Sequence, residues 1–579
     1  MPQGYSRKNY LLSNLMQIPQ HHAGGQVWPS ASARFSDFWP HIDALMIRFA
    51  TLLDRLVLTP QRNVKLRLLV DYFRTTPDPD RGYALGALTG QLDIPAVKPA
   101  MLRALAVERI DQVLFRYSYD YVGDLAETIA LVWPERSVDP GAAPRLGELV
   151  ERLLAASRLE GPRLVASLLD RLDATGRWAL IKLVAGGLRI GVSARLAKQA
   201  LADFGNQPVN EIEEAWPGLS PPYLSLFAWL EGRAERPEAG IHAPFRPVML
   251  SHALADDELA LITPENYAAE WKWDGIRVQA VREAGIARLY TRTGDDISGT
   301  FPDLVDSLHF DGALDGELLI GRRGNDGFAL GSFSDLQQRL NRKAVTARQM
   351  DAFPAFIRAY DCLVEGTEDL RRLPFRERRR RLEALVARVR GDRLDLSPLL
   401  AFADSEELMR LRAAPPEPVI EGVMLKRWDS AYEPGRPKGP WYKWKRDPHT
   451  VDAVLMYAQR GHGKRSSYYS DYTFGVWRPG EAGDELVPVG KAYFGFTDDE
   501  LIEIDRFVRN NTVNRFGPVR EVVHEANRGL VLEVAFEGLQ RSTRHKSGVA
   551  MRFPRIARLR WDKPPSEADR IETLEKLIH

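Results

Sequence analysis

The apolar pattern of this 579-residue chain changes period twice, and no single layer of secondary structure accommodates all three patterns. From Met46 to about Gly232 apolar residues recur at helical spacing. Met46-Ile47-Arg48-Phe49-Ala50-Thr51-Leu52-Leu53-Asp54-Arg55-Leu56 starts an amphipathic helix, and Leu164, Val165, Leu168, Leu169 and Leu172 repeat the spacing after Gly161-Pro162. Thr59-Pro60 reads as an N-cap followed by proline at the first helical position, ahead of Val64, Leu68, Leu69 and Phe73 on one face. Between Pro237 and Arg446 short alternating strands mix with helices such as Phe375 to Val389. Beyond Arg446 come strands rich in Val, Tyr and Phe with glycine turns: Val451 to Gln459, Asp471 to Arg478, Glu485 to Phe494 and Leu530 to Phe536, with one helix from Asp498 to Arg509. A multidomain protein is expected. Residues 1–45, with no helical period, form a disordered extension or reflect an upstream start; 46–232 form an all-α region; 233–446 an α+β domain whose antiparallel strands line a cleft. Residues 447–579 form an all-β domain, where five short strands and one helix fit an OB-fold, a small barrel used for oligonucleotides.

The chemistry concentrates in Glu270-Trp271-Lys272-Trp273-Asp274-Gly275-Ile276-Arg277. An ammonium is no nucleophile, so a site that uses Lys272 against phosphorus must strip its proton, by desolvation and by cations such as Arg277. Gly275 would admit a phosphate or sugar close to the backbone. A strand from Tyr267 to Trp273 ending in an ordinary Asp-Gly turn, with Lys272 solvated, fits the octet as well. Further segments follow in a fixed order: Thr291-Arg292-Thr293-Gly294, Leu314-Asp315-Gly316-Glu317-Leu318-Leu319, Ala359-Tyr360-Asp361, Glu421-Gly422-Val423-Met424-Leu425-Lys426 and Trp441-Tyr442-Lys443-Trp444-Lys445. Each is commonplace alone; the ordered set is not. Glu317 and Glu421, read as lying at strand ends, offer the hard oxygens that Mg²⁺ or Mn²⁺ prefers.

Taken together these segments resemble the covalent nucleotidyltransferase superfamily and, within it, the bacterial ATP-dependent DNA ligases, with similarity to the cisplatin-damage-response group. The Lys-x-Asp-Gly-x-Arg hexad is matched in full by Lys272 to Arg277. The ending Met551-Arg552-Phe553-Pro554-Arg555-Ile556-Ala557-Arg558-Leu559-Arg560-Trp561-Asp562-Lys563 is similar to the C-terminal ligase motif, in which Arg-Phe-Pro-Arg precedes Arg-x-x-x-Asp-Lys. The likeness spans about 240 to 565. Leu425 stands where a β-branched residue is common, an apolar exchange of little consequence.

The resemblance implies that Lys272 takes AMP from ATP, with Glu270 at the adenine amino group and Tyr360 stacked on the base. It places Arg277 and Arg292 at the ribose and the 5′-phosphate of nicked duplex DNA, and Glu317 at the ribose and, with Glu421, at the metal. Lys443 and Lys445 meet the α-phosphate and help keep Lys272 neutral, while Arg555, Arg558, Asp562 and Lys563 orient the pyrophosphate. AMP then passes to the 5′-phosphate, and the 3′-hydroxyl displaces it, in the service of DNA repair, recombination or replication. A large helicase and a metallo-β-lactamase-fold nuclease are the partners it suggests, around a monomer. An RNA ligase and an mRNA-capping guanylyltransferase share parts of the pattern; the helical module and the Arg-Phe-Pro-Arg ending argue against them.

The formal net charge is +1, so any DNA grip depends on local basic surface. Arg189 and Gly191, in Gly186-Gly187-Leu188-Arg189-Ile190-Gly191, suit either a DNA phosphate or close helix packing, and a Leu-Arg-x-Gly in ligase helical domains favours DNA. Lys464 and Arg465 sit in a basic loop, Gly461 to Arg465, open to DNA or simply exposed. Arg376-Glu377-Arg378-Arg379-Arg380-Arg381-Leu382-Glu383 reads as a solvated helix face rather than a nucleic-acid patch. One cysteine, Cys362, excludes internal disulfides and a four-cysteine zinc site. No apolar run approaches membrane-spanning length and no secretory leader is legible, so a cytoplasmic protein is expected.

Overall fold

The computed structural model describes residues 45–578 apart from 123, 135–143, 238–241, 325–326, 341, 343–344, 390, 462–467, 481–482 and 544. The expected N-terminal extension, Lys464 and Arg465 therefore lie outside the described residues.

From Leu45 to Leu230 the regular elements are helices. Their apolar stripes converge on one core: Phe49, Leu53 and Leu56 from Leu45–Leu58, Leu69 and Phe73 from Arg62–Thr75, Leu180 and Ile181 from Ala174–Ala185, Ala197 and Leu201 from Ala194–Gly205. Asp124, Asp173 and Ser193 cap their helices by accepting from the amides of Glu127, Gly176 and Leu196. The expected Thr59-Pro60 start is corrected. The helix begins at Arg62 after Gln61 with no side-chain cap, because Pro60 lies in the link rather than in the first turn. Lys65, 7% exposed, reaches from this helix to donate to the carbonyls of Ile190 and Gly191, each at 2.9 Å. The glycine-rich turn is thereby tied to a helix far away in sequence.

The middle region contains two sheets. One orders His252–Ala253, Trp441–Lys445, Ile420–Arg427, Tyr267–Trp273 and Leu399–Leu400; the other is built on Ile286–Thr291, Ile276–Glu283, Gly312–Gly324 and Ala355–Glu365. Tyr267–Trp273 and Ile276–Glu283 are consecutive, yet they belong to different sheets. Asp274-Gly275 is thus no hairpin turn but a crossing from one sheet to the other. A Cβ on Gly275 would stand 2.4 Å from the Leu318 carbonyl oxygen and 2.9 Å from Glu317 Cγ. The close approach that requires glycine is therefore to a neighbouring strand, where the sequence suggested a ligand. Gly312–Gly324 is 13 residues long, so Glu317 lies near its middle, not at a strand end as expected.

The helix Phe375–Val389 forms as its pattern predicts, but its arginine run is a solvated face only in part, at the exposed Arg376 and Arg380. Arg378 is fully buried against Asp361, and Arg379, 4% exposed, reaches Glu270. Two buried acceptors on neighbouring strands draw inward what the sequence alone assigns to water.

Beyond His449 the described residues form a seven-stranded sheet and a two-stranded hairpin, with the helix Asp498–Asn510 packed against the sheet behind a Thr497 capping box. Five strands were expected. Thr512–Phe516 carries no legible alternation because it is largely exposed, Val513 and Phe516 included, and the ending motif itself runs through Val549–Arg552 and Arg555–Arg560. Among the described residues no helix is long and apolar enough to cross a membrane.

Candidate active site

Strand periodicity builds the site. On Tyr267–Trp273, Glu270 and Lys272 share one face while Trp271 and Trp273 turn to an apolar cluster. On Trp441–Lys445, Trp441, Lys443 and Lys445 share the cleft face while Tyr442 and Trp444 pack on that same cluster. Ile420–Arg427 lies between them, setting Gly422 opposite both Lys272 and Lys445, and Met424 opposite both Glu270 and Lys443. Gly422, at φ 145°, lets the strands close, since a Cβ there would meet the Trp444 carbonyl oxygen at 2.2 Å. Between the two sheets lies a cavity of about 540 Å³, lined on the second side by Arg277, Arg292, Glu317 and Tyr360.

Lys272 donates to Glu421 Oε1 at 2.7 Å, and Lys445 pairs with Glu421 Oε2 at 2.6 Å. Burial alone would push the Glu421 carboxyl up, but Lys272 and Lys445 outweigh it and hold it below its ordinary range. Glu317 is the opposite case. It makes no hydrogen bond or ion pair among the described residues, and burial, with Glu421 and Asp274 adding repulsion against Lys272 and Arg277, pushes it up to about 8. A carboxyl so placed lacks a cation or a hydroxyl donor. Lys443 is lowered by burial first, then by Lys272, Arg436 and Lys445.

At the inner end, Glu270 is 1% exposed and both its oxygens are engaged, Oε1 by Arg379 at 2.9 Å and Oε2 by Lys426 at 2.8 Å. Lys426 also stands 4.4 Å over the Tyr360 ring. The guanidinium fork of Arg277 is spent on the protein: Nη1 donates to the Met249 carbonyl at 2.6 Å, Nη2 to Asp315 at 2.6 Å and to Tyr432 at 3.0 Å. Three of its five N–H groups are thus taken and the unpartnered Nε is buried, so little of the guanidinium is left for a ligand in this arrangement. Arg292 is exposed at the cavity wall.

The C-terminal motif reaches this cavity through residues that the sequence reading passed over. Arg552 forms a bidentate pair with Asp274 and lies 4.0 Å over the Phe333 ring; Phe553, at φ 52° and 59% exposed, also lines the cavity. Arg555 pairs with Glu537 at 3.1 Å, and Glu537 accepts from Lys445 at 2.9 Å. Arg558, exposed on its strand opposite Glu533, does not line the cavity, and neither do Asp562 and Lys563, which pair with Arg560 and Asp452. Arg189 and Gly191 belong to the turn of the helical region, where Arg189 is exposed at φ 50°. Arg436, also missed, lines the cavity beside Lys443. Arg552 was within reach of the sequence, being the first arginine of the quoted Arg-Phe-Pro-Arg; Arg436 and Glu537 carry no local signal.

Two family models match the chain: ATP dependent DNA ligase domain over residues 248–445 and ATP dependent DNA ligase C terminal region over residues 465–563. A "Probable DNA ligase" of Koribacter versatilis is 35% identical over 72% of this chain and 74% of its own length, and "DNA ligase 1" of Korarchaeum cryptofilum is 30% identical over 92% and 98%. A "Probable DNA ligase" of Opitutus terrae is 31% identical over 93% of this chain, which spans 62% of that protein's length. Among solved structures, "Pmar-Lig_Pre." shares the fold with a TM-score of 0.55 at 15% identity, covering 89% of this chain and 99% of its own.

Proposed function

The chain belongs to the ATP-dependent DNA ligase family, and we propose that it seals 5′-phosphate/3′-hydroxyl nicks in duplex DNA through a lysyl-AMP and then a DNA-adenylate. The observation that carries this reading is Lys272 facing a cavity at the meeting of two sheets, hydrogen-bonded to Glu421 and ringed by Lys443, Lys445 and Glu317.

In the first step Lys272 Nζ, its proton released to solvent, leaves its hydrogen bond to Glu421 and attacks the α-phosphorus of ATP. The N–P bond forms as the bond to the β-phosphate oxygen breaks, and pyrophosphate leaves with the electron pair. Next, an oxygen of the nick's 5′-phosphate attacks the same phosphorus; the N–P bond breaks and the amine regains a proton. Finally the 3′-hydroxyl loses its proton, attacks the 5′-phosphorus and expels AMP. Lys443 and Lys445 offset charge that grows on the phosphate oxygens. Tyr360 and Glu270 receive adenine, and Arg277 and the carboxyl of Glu317 receive the ribose.

Mg²⁺ or Mn²⁺ fits these residues. Magnesium usually takes one or two carboxylates and completes its shell with water and substrate phosphate. Glu317 is a carboxyl with no ion pair among the described residues, with Glu421 near it, while no cluster of three or more such ligands occurs among them. Such an ion supplies charge neutralisation at the transferring phosphoryl group. We assign residues 46–232 to DNA binding, with Arg189 and Gly191 at a phosphate, Arg292 at the 5′-phosphate, and Lys464 and Arg465 on the duplex. The region after 446 is read as an OB-fold that closes over the nick, its Arg555 and Arg558 serving the pyrophosphate in the first step. Incubation with labelled ATP or GTP tests the reading: denaturation-resistant label from ATP alone, passed on to nicked DNA, is expected. Label from GTP would favour a capping-type enzyme, and transfer to RNA ends only an RNA ligase.

A further inference from the structure

Glu537 has no part in the reaction as written, yet it holds two of its cations. It follows the strand Val531–Phe536, and it accepts from Lys445 at 2.9 Å through Oε2 and from Arg555 at 3.1 Å through Oε1. Lys445 gives its other contact to Glu421, which accepts from Lys272. One file of alternating charge therefore runs from the nucleophile into the C-terminal region: Lys272, Glu421, Lys445, Glu537, Arg555. The pair between Arg552 and Asp274 closes the same face.

The consequence is electrostatic. Lys445 and Arg555 have the charge that a triphosphate tail needs, but in this arrangement each is answered by a carboxylate. Burial opposes the Lys445 ammonium, and the two carboxylates, Glu421 and Glu537, more than offset it and hold its pKa above the ordinary lysine range. A polyphosphate entering here would give up these cations and meet a carboxylate instead. For two like unit charges about 4 Å apart at an effective dielectric of about 20, the repulsion is on the order of a thousandfold in occupancy. AMP, on the lysine or on DNA, has no such tail, and Lys443, which lines the cavity, remains for its α-phosphate.

Resting on the ligase reading, we infer that Glu537 is a positioning residue that commits the docked arrangement to nick chemistry: it holds Lys445 and Arg555 away from the β- and γ-phosphates of ATP while the AMP pocket stays open. The interval it guards follows the second step, when Lys272 is free and the DNA-adenylate is still unsealed. Recharging of Lys272 by ATP at that moment would fill the pocket that the DNA-bound AMP needs and strand the intermediate.

The test mixes adenylylated enzyme with nicked DNA at rising Mg-ATP and separates sealed product from DNA-adenylate. Wild type should leave little DNA-adenylate at any ATP concentration. Glu537→Gln, nearly isosteric, should accumulate about tenfold more at millimolar ATP, yet close a pre-adenylylated nick without ATP within about threefold of wild type. Glu537→Asp, which keeps the charge, should restore most of the resistance to ATP. A variant whose product distribution ignores ATP as wild type does overturns the inference. So does one equally slow with and without ATP, which would make Glu537 a latch only. Wild type that takes no label from ATP, or closes no nick, overturns the ligase reading instead.

Discussion

Glu317→Gln separates the electrostatic account of the cleft from a purely steric one. In the free protein the Glu317 carboxyl is pushed up from 4.5 to about 8. A folded-state pKa above the unfolded one means that the folded protein binds the extra proton. The stability this lends is fully present below about pH 4.5 and is lost as pH rises through about 8. The shift of about 3.5 units, at 1.36 kcal/mol each, sets a ceiling of roughly 5 kcal/mol, since pocket water reaches the carboxyl and relieves part of it. Half that ceiling moves the melting of a region of this size by roughly 5 to 10 °C. Glutamine cannot ionise, so the variant should melt with wild type near pH 5 and above it by several degrees near pH 9, with divalent metal removed by chelator. Adding Mg²⁺ and ATP should restore wild type at high pH, with proton release on binding near neutrality. Melting curves of the two proteins that run parallel from pH 5 to 9 would refute the reasoning.

Lys272→Ala should lose all label from ATP yet still close a nick whose 5′-phosphate already bears AMP, whereas Glu421→Ala should impair that closure too; equal and complete loss in both would make Lys272 structural. Arg552→Ala removes the pair with Asp274 and should cut sealing about ten- to a hundredfold while leaving self-adenylylation within a few-fold, read from single-turnover kinetics of each step. Removing residues 46–232 should leave self-adenylylation nearly intact but abolish tight nick binding and flatten its salt dependence, and full-rate sealing by the truncated protein would assign the helices elsewhere. The expected linker from Arg446 to Val451 shortens to Arg446 to Pro448, because the strand His449–Arg460 already starts at His449; this link should act as a hinge, so small-angle scattering should give different shapes for free and nick-bound protein.

The strand carrying Lys272 was legible because period-2 alternation puts two aromatics on one face and Glu270 with Lys272 on the other. Lys443 and Lys445 were singled out by the family resemblance, and the same alternation sets Trp441 on their face. What pairs across the cleft was not. Arg378 and Arg379 look like solvent-facing charge until Asp361 and Glu270 are brought beneath them, and register between strands about 150 residues apart decides that Glu421 meets Lys272. The Asp-Gly step read as a turn, because nothing local distinguishes a reversal within one sheet from a crossing between two. Glu537 is an ordinary acid at a strand end until strand pairing sets Arg555 beside it and the middle region supplies Lys445.

That crossing governs how the cleft can move. The two sheets are covalently continuous two residues from Lys272, and Gly275 rests against the strand that holds Glu317. Points near a pivot travel least. If the sheets swing apart to admit ATP or a nick, the displacement is small at the nucleophile and grows with distance toward residues on the far walls, such as Arg292 and Phe333. Under any such swing the separation of the amine from the Glu317 carboxyl would change least, so the reacting groups would keep their spacing through substrate exchange.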